Sequence, residues 1–440
     1  MRPNVLLVTL DQFRGDCLSH LGHNVVRTPH LDALAKESVT FARHYSQAAP
    51  CSPGRASLYT GTYQMNHRVC FNGSPLDDRL DNVARLGRRL GYTPTLFGYT
   101  DQGVDPRTTL NADDPRLSTY QGVLPGFDWL LDLSEPYTPW LAHLKSHGHH
   151  FDDHVAALMS EPERDESLSI STFLTDTFLA WLDDASEVHD TADLSKSPWF
   201  AHLSFLRPHP PYTAAGKWSR EYDPQIVDMP ITPSEQRHGF HDAVMQLPDT
   251  AAPRTEAGMR RMRAQYYGMI GEVDHQIGRI VAALRERSEW DDTVIVITAD
   301  HGEQLGDHYM LGKMGFYDQS YHVPLIIVDP SREADPARHV VEEKEGRIVD
   351  EGARFPVGLG AHDAALPPEL AVLELPYLFA SEKEADYVLD KVILGSVEAA
   401  FKSFARALKM AAAIDGKSGV KSVIVVRRTG GAVAMKSGRD

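Results

Sequence analysis

The sequence predicts an α/β protein with a large, mostly parallel central sheet flanked by helices. Three observations carry the prediction. Unbroken apolar runs recur along the chain, helical periodicity fills the intervals between them, and two of the runs stop at acidic residues. Strands that alternate with helices imply parallel pairing with both faces covered. In such sheets sites form at the C-terminal ends of strands.

The runs lie at residues 5–10, 95–99, 200–205, 293–298 and 323–328. Continuous apolar strands of this length suit burial on both faces. The first predicted helix, 31–36, follows Thr28-Pro29, a start signal. The second, 80–90, is amphipathic and ends at Gly91, a residue suited to the left-handed turn after a helix. A third, 172–182, places Phe173, Leu174, Phe178 and Leu182 largely on one face. The longest, 254–287, carries apolar residues at helical spacing from Met262 to Leu284. Residues 103–170 have weak periodicity and read as an insertion carrying loops. Arg207-Pro208-His209-Pro210-Pro211 reads as a rigid extended stretch just after a strand.

The chain has 440 residues, more than one core usually holds. Its 42% hydrophobic and 24% charged content is that of a folded globular protein. A net charge of −17 repels nucleic acid and anionic membranes, so neither is expected as a partner. Three cysteines, Cys17, Cys51 and Cys70, are too few for a disulfide scaffold and fit a reducing compartment. The N-terminal run is too short for a signal-peptide core, and no stretch approaches the roughly 20 apolar residues of a membrane span. A cytoplasmic protein is the expectation.

Asp11-Gln12 and Asp300-His301 close two of the runs. Together they offer hard oxygens and one imidazole. That donor set suits Ca²⁺, Mg²⁺, Mn²⁺ or a mixed-ligand transition metal better than a structural zinc site. An acid capping a turn is the alternative for either pair alone. Between them in sequence lies Cys51-Ser52-Pro53-Gly54-Arg55, followed by Ala56-Ser57-Leu58-Tyr59-Thr60-Gly61.

This Cys-x-Pro-x-Arg stretch, with the Ala-Ser-Leu-x-Thr-Gly behind it, resembles the signature of the sulfatases. The resemblance extends over most of residues 1–330. Asp300-His301-Gly302-Glu303-x-Leu305-Gly306-Asp307-His308, with Gly312-Lys313, resembles the family's second metal-and-lysine motif. Tyr266-Tyr267-Gly268 through Asp274 to Ile277-Gly278 resembles the helix before it, which is assigned core packing and no catalysis. Within the alkaline phosphatase superfamily the chain looks most like the phosphonate monoester hydrolases. The residues concerned are Asp11-Gln12, Met65-Asn66-His67-Arg68, Asn72, Pro75-Leu76-Asp77, Gly98-Tyr99-Thr100, Asp105-Pro106-Arg107 and the Arg207–Pro211 stretch. Many sulfatases carry Lys-x-His where this chain has Gly98-Tyr99-Thr100. Asp101 departs from the threonine usual in phosphonate hydrolases. Choline sulfatases share the Asp-Gln start, so arylsulfatase and choline-sulfatase readings stay open.

The resemblance implies an alkaline phosphatase/sulfatase-like fold and a formylglycine made from Cys51 by a formylglycine-generating enzyme. One hydroxyl of the hydrated aldehyde attacks phosphorus or sulfur; the other lets the covalent ester collapse. It further implies one divalent ion, Mn²⁺ or Ca²⁺ before Mg²⁺ or Zn²⁺, held by Asp11, Gln12, modified Cys51, Asp300 and His301. Arg55 orients the diol. Lys313 and His209 neutralise charge on the transferred group, and His209 or another histidine protonates the leaving group. Asn72 and Tyr99 are the expected neutral contacts to a small anionic ester, and a homo-oligomer is expected. A catalytically inactive binding protein is the alternative of another class.

The sequence divides into a catalytic region, 1–330, and a region, 331–440, that matches nothing placed in the family. The usual Asp-x-x-Pro-Thr segment is not found there. Residues 382–414 are helix-compatible and 420–426 read as a strand.

Overall fold

Strand β1, Asn4–Leu10, lies at the centre of a seven-stranded sheet in the computed structural model. The structure describes residues 2–187, 198–233, 239–247 and 250–330. The other strands are β2 (Val39–Thr40), β3 (Pro94–Gly98), β4 (Asp128–Asp132), β5 (Phe200–Phe205), β6 (Thr293–Thr298) and β7 (Leu325–Val328). Their order is β2-β7-β6-β1-β5-β3-β4. The strands from β6 to β4 pair in parallel, whereas β7 and β2 are antiparallel at one edge. The sheet is therefore mostly parallel, as the apolar runs predict.

Alternation explains the burial. Leu6, Val8 and Leu10 of β1 join one core with the helices Pro29–Ala35, Ile170–Glu187 and Glu256–Glu286. Val5 and Leu7 join the opposite core with the helices Cys51–Thr60 and Val83–Arg89. Each fully buried leucine or phenylalanine contributes roughly 1.5–3 kcal/mol of transfer free energy. The central strands bear such residues on both faces and so cannot sit at an edge.

The helix boundaries follow local chemistry. Pro29 opens its helix, and Gly91 takes φ +81° beyond Leu90. Residues 103–170, expected as a loop-bearing insertion, instead supply edge strand β4 and the helices Thr138–Ser146 and His154–Met159. The β4 stretch, DWLLD, has acids at both ends and buries only Leu131, so it lacks the signature of a central strand. The expected elements at 382–414 and 420–426, and the whole of 331–440, lie outside the described residues. Among the described residues no helix is long and apolar enough to cross a membrane.

Two glycines bring the functional elements close together. A Cβ on Gly54 would meet Asp300 O at 2.5 Å and Ala48 O at 2.8 Å. Only glycine at that motif position lets the Cys51–Thr60 helix press against the end of β6. Gly98, at φ +114°, lets the end of β3 lie against β5, where a Cβ would meet Ser204 O at 2.3 Å.

Candidate active site

The register that pairs Thr9 with Thr298 sets the ends of β1 and β6 side by side. Asp11 and Asp300 therefore meet, although 289 residues separate them. Cys51 is the first residue of its helix and faces both. One ligand atom each from Asp11, Cys51, Asp300 and His301 lies within 4.8 Å of the others, and all four side chains are buried.

Arg55 organises this cluster. Its guanidinium is fully buried one turn beyond Cys51. Nε donates to Asp300 Oδ2 at 2.8 Å, and Nη2 to Asp11 Oδ2 at 3.0 Å. Nη1 donates to Ser204 Oγ at 2.8 Å and to Tyr99 O at 3.1 Å. A planar fork with donors on several sides suits this task; an ammonium does not. Arg55 thus grips the two acids rather than pointing past them toward a substrate.

The other oxygens complete the picture. Asp300 Oδ1 accepts from Gln12 N at 3.2 Å and His301 N at 2.9 Å. Asp11 Oδ1 is buried with no hydrogen-bond partner. An orphaned buried carboxylate oxygen is costly unless something cationic faces it. The carbonyl of Gly302 lies 3.0 Å from His301 Nδ1 and can only accept, so that nitrogen carries the proton. Nε2 is left as a lone pair 3.2 Å from Cys51 Sγ and 3.8 Å from Asp11 Oδ1. Burial holds His301 below the ordinary histidine range. Two carboxylates, a thiol and a neutral imidazole converging on one point fit a divalent cation.

The thiol itself is no ready nucleophile. Burial, then Asp11, push its pKa well above the ordinary cysteine value, with Asp300 and Asp101 adding to the shift and Lys313 opposing it. A helix N-terminus favours an anion, but nearby carboxylates outweigh it here.

Gln12, expected as a ligand, stands beside the cluster at φ 67°. Its Nε2 donates to Glu303 Oε2, and its Oε1 accepts from Lys313 Nζ at 2.6 Å. An acid at this position would face the buried Glu303 carboxylate, so an amide suits it. Burial disfavours the Lys313 ammonium, but Cys51, Asp11 and Asp300 outweigh this and raise its pKa. His209 reaches the same space from the loop after β5, its Nδ1 2.9 Å from Pro210 O. Burial, then Lys313, lower it to about 4.

The two expected neutral contacts behave differently. Tyr99 is buried behind Asp11, donates to Asp11 Oδ2 at 2.7 Å and lies under the Arg55 guanidinium. Its hydroxyl supports the Asp11 carboxylate. Asn72 is exposed and accepts from Ser52 N at 3.0 Å, capping the helix that begins at Cys51. Asp101 is the group whose role the sequence left undefined. It sits at φ 51° beyond β3, with Oδ2 3.7 Å from Arg55 Nε and Oδ1 buried without a partner. Burial pushes its carboxyl up to about 7, with Arg55 opposing and Asp11 and Asp300 adding.

Four ligand-type side chains thus meet at strand ends beside a helix N-terminus, an arrangement that could hold a cation. The Sulfatase family profile matches residues 3–348. The chain belongs to the sulfatase family and is an ester hydrolase. It is 36% identical over 385 residues to the multifunctional alkaline phosphatase superfamily protein PehA of Trinickia caryophylli, spanning 78% of this chain and 71% of that one. An arylsulfatase of Clostridium perfringens is 26% identical, over 80% of this chain and 72% of its own. Among solved structures, the phosphonate monoester hydrolase of Agrobacterium radiobacter is 44% identical with a TM-score of 0.68, covering 75% of this chain and 68% of that chain. The phosphonate monoester hydrolase from Silicibacter pomeroyi is 39% identical with a TM-score of 0.68, covering 76% and 69%.

Proposed function

We propose that the protein hydrolyses phosphonate monoesters and phosphodiesters through a formylglycine formed from Cys51. The observation that carries this reading is the buried Cys51 thiol set among Asp11, Asp300 and His301, with Asp11 Oδ1 unpartnered. A divalent ion held by Asp11, Asp300, His301 and the modified residue 51 would supply positive charge and acidify the attacking hydroxyl. Gln12 Oε1 is the further donor the sequence suggests.

The chain's own residues supply the rest. Arg55 and Tyr99 hold the two carboxylates. The Lys313 ammonium meets negative charge on the non-bridging oxygens. The His209 ring is neutral in the free enzyme; an ester anion against it favours the imidazolium, so substrate binding loads the proton that the leaving alcohol takes. Formylglycine hydrate retains a second hydroxyl, whose deprotonation re-forms the aldehyde and expels the phosphonate or phosphate.

Charge supports monoanionic esters. Arg55 is engaged by Asp11 and Asp300, Asp101 stands nearby, and Tyr99 and Thr100 bring no cation. A dianionic phosphomonoester fits that balance poorly. Sulfate esters are also monoanions, and the likeness to an arylsulfatase keeps sulfatase activity as the second reading.

One panel of 4-nitrophenyl esters ranks these readings: phosphonate monoester, phosphodiester, phosphomonoester and sulfate. Phosphonate and diester turnover above sulfate is expected; the reverse order establishes the sulfatase. Cys51→Ala abolishes every activity, and near-normal turnover by that variant with metal retained sinks the mechanism. The Cys51 peptide of active protein should weigh about 18 Da less than its cysteine form.

A further inference from the structure

The loop that carries His209 is gripped from behind by a buried ion pair. Arg207, fully buried, opens the loop directly after β5. Its Nη1 donates to the carbonyls of His209 at 2.9 Å and Pro211 at 2.8 Å. Its Nη2 donates to the Glu161 carboxylate and to Thr213 Oγ1, the latter at 3.3 Å. Glu161 is 1% exposed and comes from the segment between β4 and β5. Its second oxygen accepts from Ile170 N at 3.1 Å, tying the pair to the first turn of the Ile170–Glu187 helix. Glu272 of the long helix is buried near Glu161, and burial together with Glu161 raises its pKa.

None of these groups reaches the metal ligands. Their influence on the chemistry passes through backbone. The His209 ring is itself fixed by Nδ1 against Pro210 O, within the loop whose carbonyls Arg207 gathers. The guanidinium thus holds the backbone on both sides of Pro210, whose carbonyl meets the His209 ring, and Glu161 holds the guanidinium.

We propose that Glu161 and Arg207 are a positioning pair for proton delivery. Glu161 orients Arg207, and Arg207 holds the carbonyls of His209 and Pro211 so that the imidazole meets the leaving-group oxygen. The inference rests on His209 as the proton donor. Misplacing a proton donor costs most for leaving groups that need the proton most.

The test uses metal-loaded, formylglycine-containing full chain and aryl phenylphosphonate monoesters from 4-nitrophenol to phenol. Glu161→Gln keeps the side-chain shape and an acceptor oxygen while losing the charge. Arg207→Lys keeps the charge and loses the fork. Both should hold kcat/KM for the 4-nitrophenyl ester within about threefold and lower the phenyl ester about tenfold to hundredfold, a part of the roughly 10²–10⁴ from a placed donor. Adding Glu161→Gln to His209→Asn should cost nothing further on the phenyl ester. An equal loss across all leaving groups, or an additive loss with His209→Asn, overturns the positioning role. If His209→Asn alone keeps the wild-type leaving-group dependence, the proton-donor reading falls and this inference with it. Should Glu161→Gln not fold, Glu161→Asp, whose shorter arm draws Arg207 back, is read by the same series.

Discussion

The inner and outer halves of the site are built on different principles. Asp11, Cys51, Arg55, Asp300 and His301 are 0–4% exposed and stand on strand ends or a helix start. Asn72, His209 and Lys313 are half-buried or exposed and stand on loops. Inside, every charge must be met by another, because an unpaired buried ion costs several kcal/mol. Outside, the side chains keep part of their surface in solvent, so fewer of their polar groups need a protein partner. The inner half is thus confined to one arrangement, while the outer half can be adjusted to a substrate.

Breaking the inner half should have the largest effect. Arg55→Lys keeps the charge and loses the fork, so Asp11 and Asp300 cannot both keep their bond to residue 55, at a cost of roughly 1.5–3 kcal/mol. Activity should fall below detection, and elemental analysis should show reduced metal content. Full metal occupancy in that variant would contradict the role given to Arg55. Chelation of the wild type should abolish turnover, and re-addition of Mn²⁺ or Ca²⁺ should restore it.

Lys313→Met lies at the boundary. Loss of one preorganised charge predicts a fall of roughly 10²–10³ in kcat with metal retained. A loss of metal instead would place Lys313 with the inner half.

His209 predicts the pH profile. Its folded pKa is lowered to about 4, so at neutral pH the free enzyme holds it deprotonated. A reaction that needs the imidazolium must then lose kcat/KM as pH rises above that value. His209→Asn should flatten the slope. A slope that survives belongs to another group.

The smallest effect is expected at Asn72. Asn72→Ala frees the Ser52 N–H at the helix start, which costs about 1 kcal/mol. A modest fall in Tm with KM unchanged marks a cap; a raised KM marks a substrate contact.

The same division governs what the sequence disclosed. Asp11, Asp300 and His301 were legible because β1 and β6 are unbroken apolar runs that stop at them. Cys51 and Arg55 were legible because their motif is contiguous. Long-range contacts were not. Nothing local announces that Glu161 meets Arg207 across 46 residues, or that the Tyr99 hydroxyl turns inward to Asp11. Strand β4 was missed because an edge strand with one buried residue shows no period, and β2 because it has only two residues. Arg207 stood in view as part of a proline-rich stretch, but its partner lay in the segment that read as loops.

Arg55 binds Asp11 and Asp300 through their Oδ2 atoms and Tyr99 secures the first of them. The two carboxylates are therefore placed by folding, and a cation bound there would meet them already in position. Exchange of one cation for another need not reorganise the protein. Which cation such a preformed cluster would favour then depends on the fit of its radius and ligand preference to these fixed oxygens.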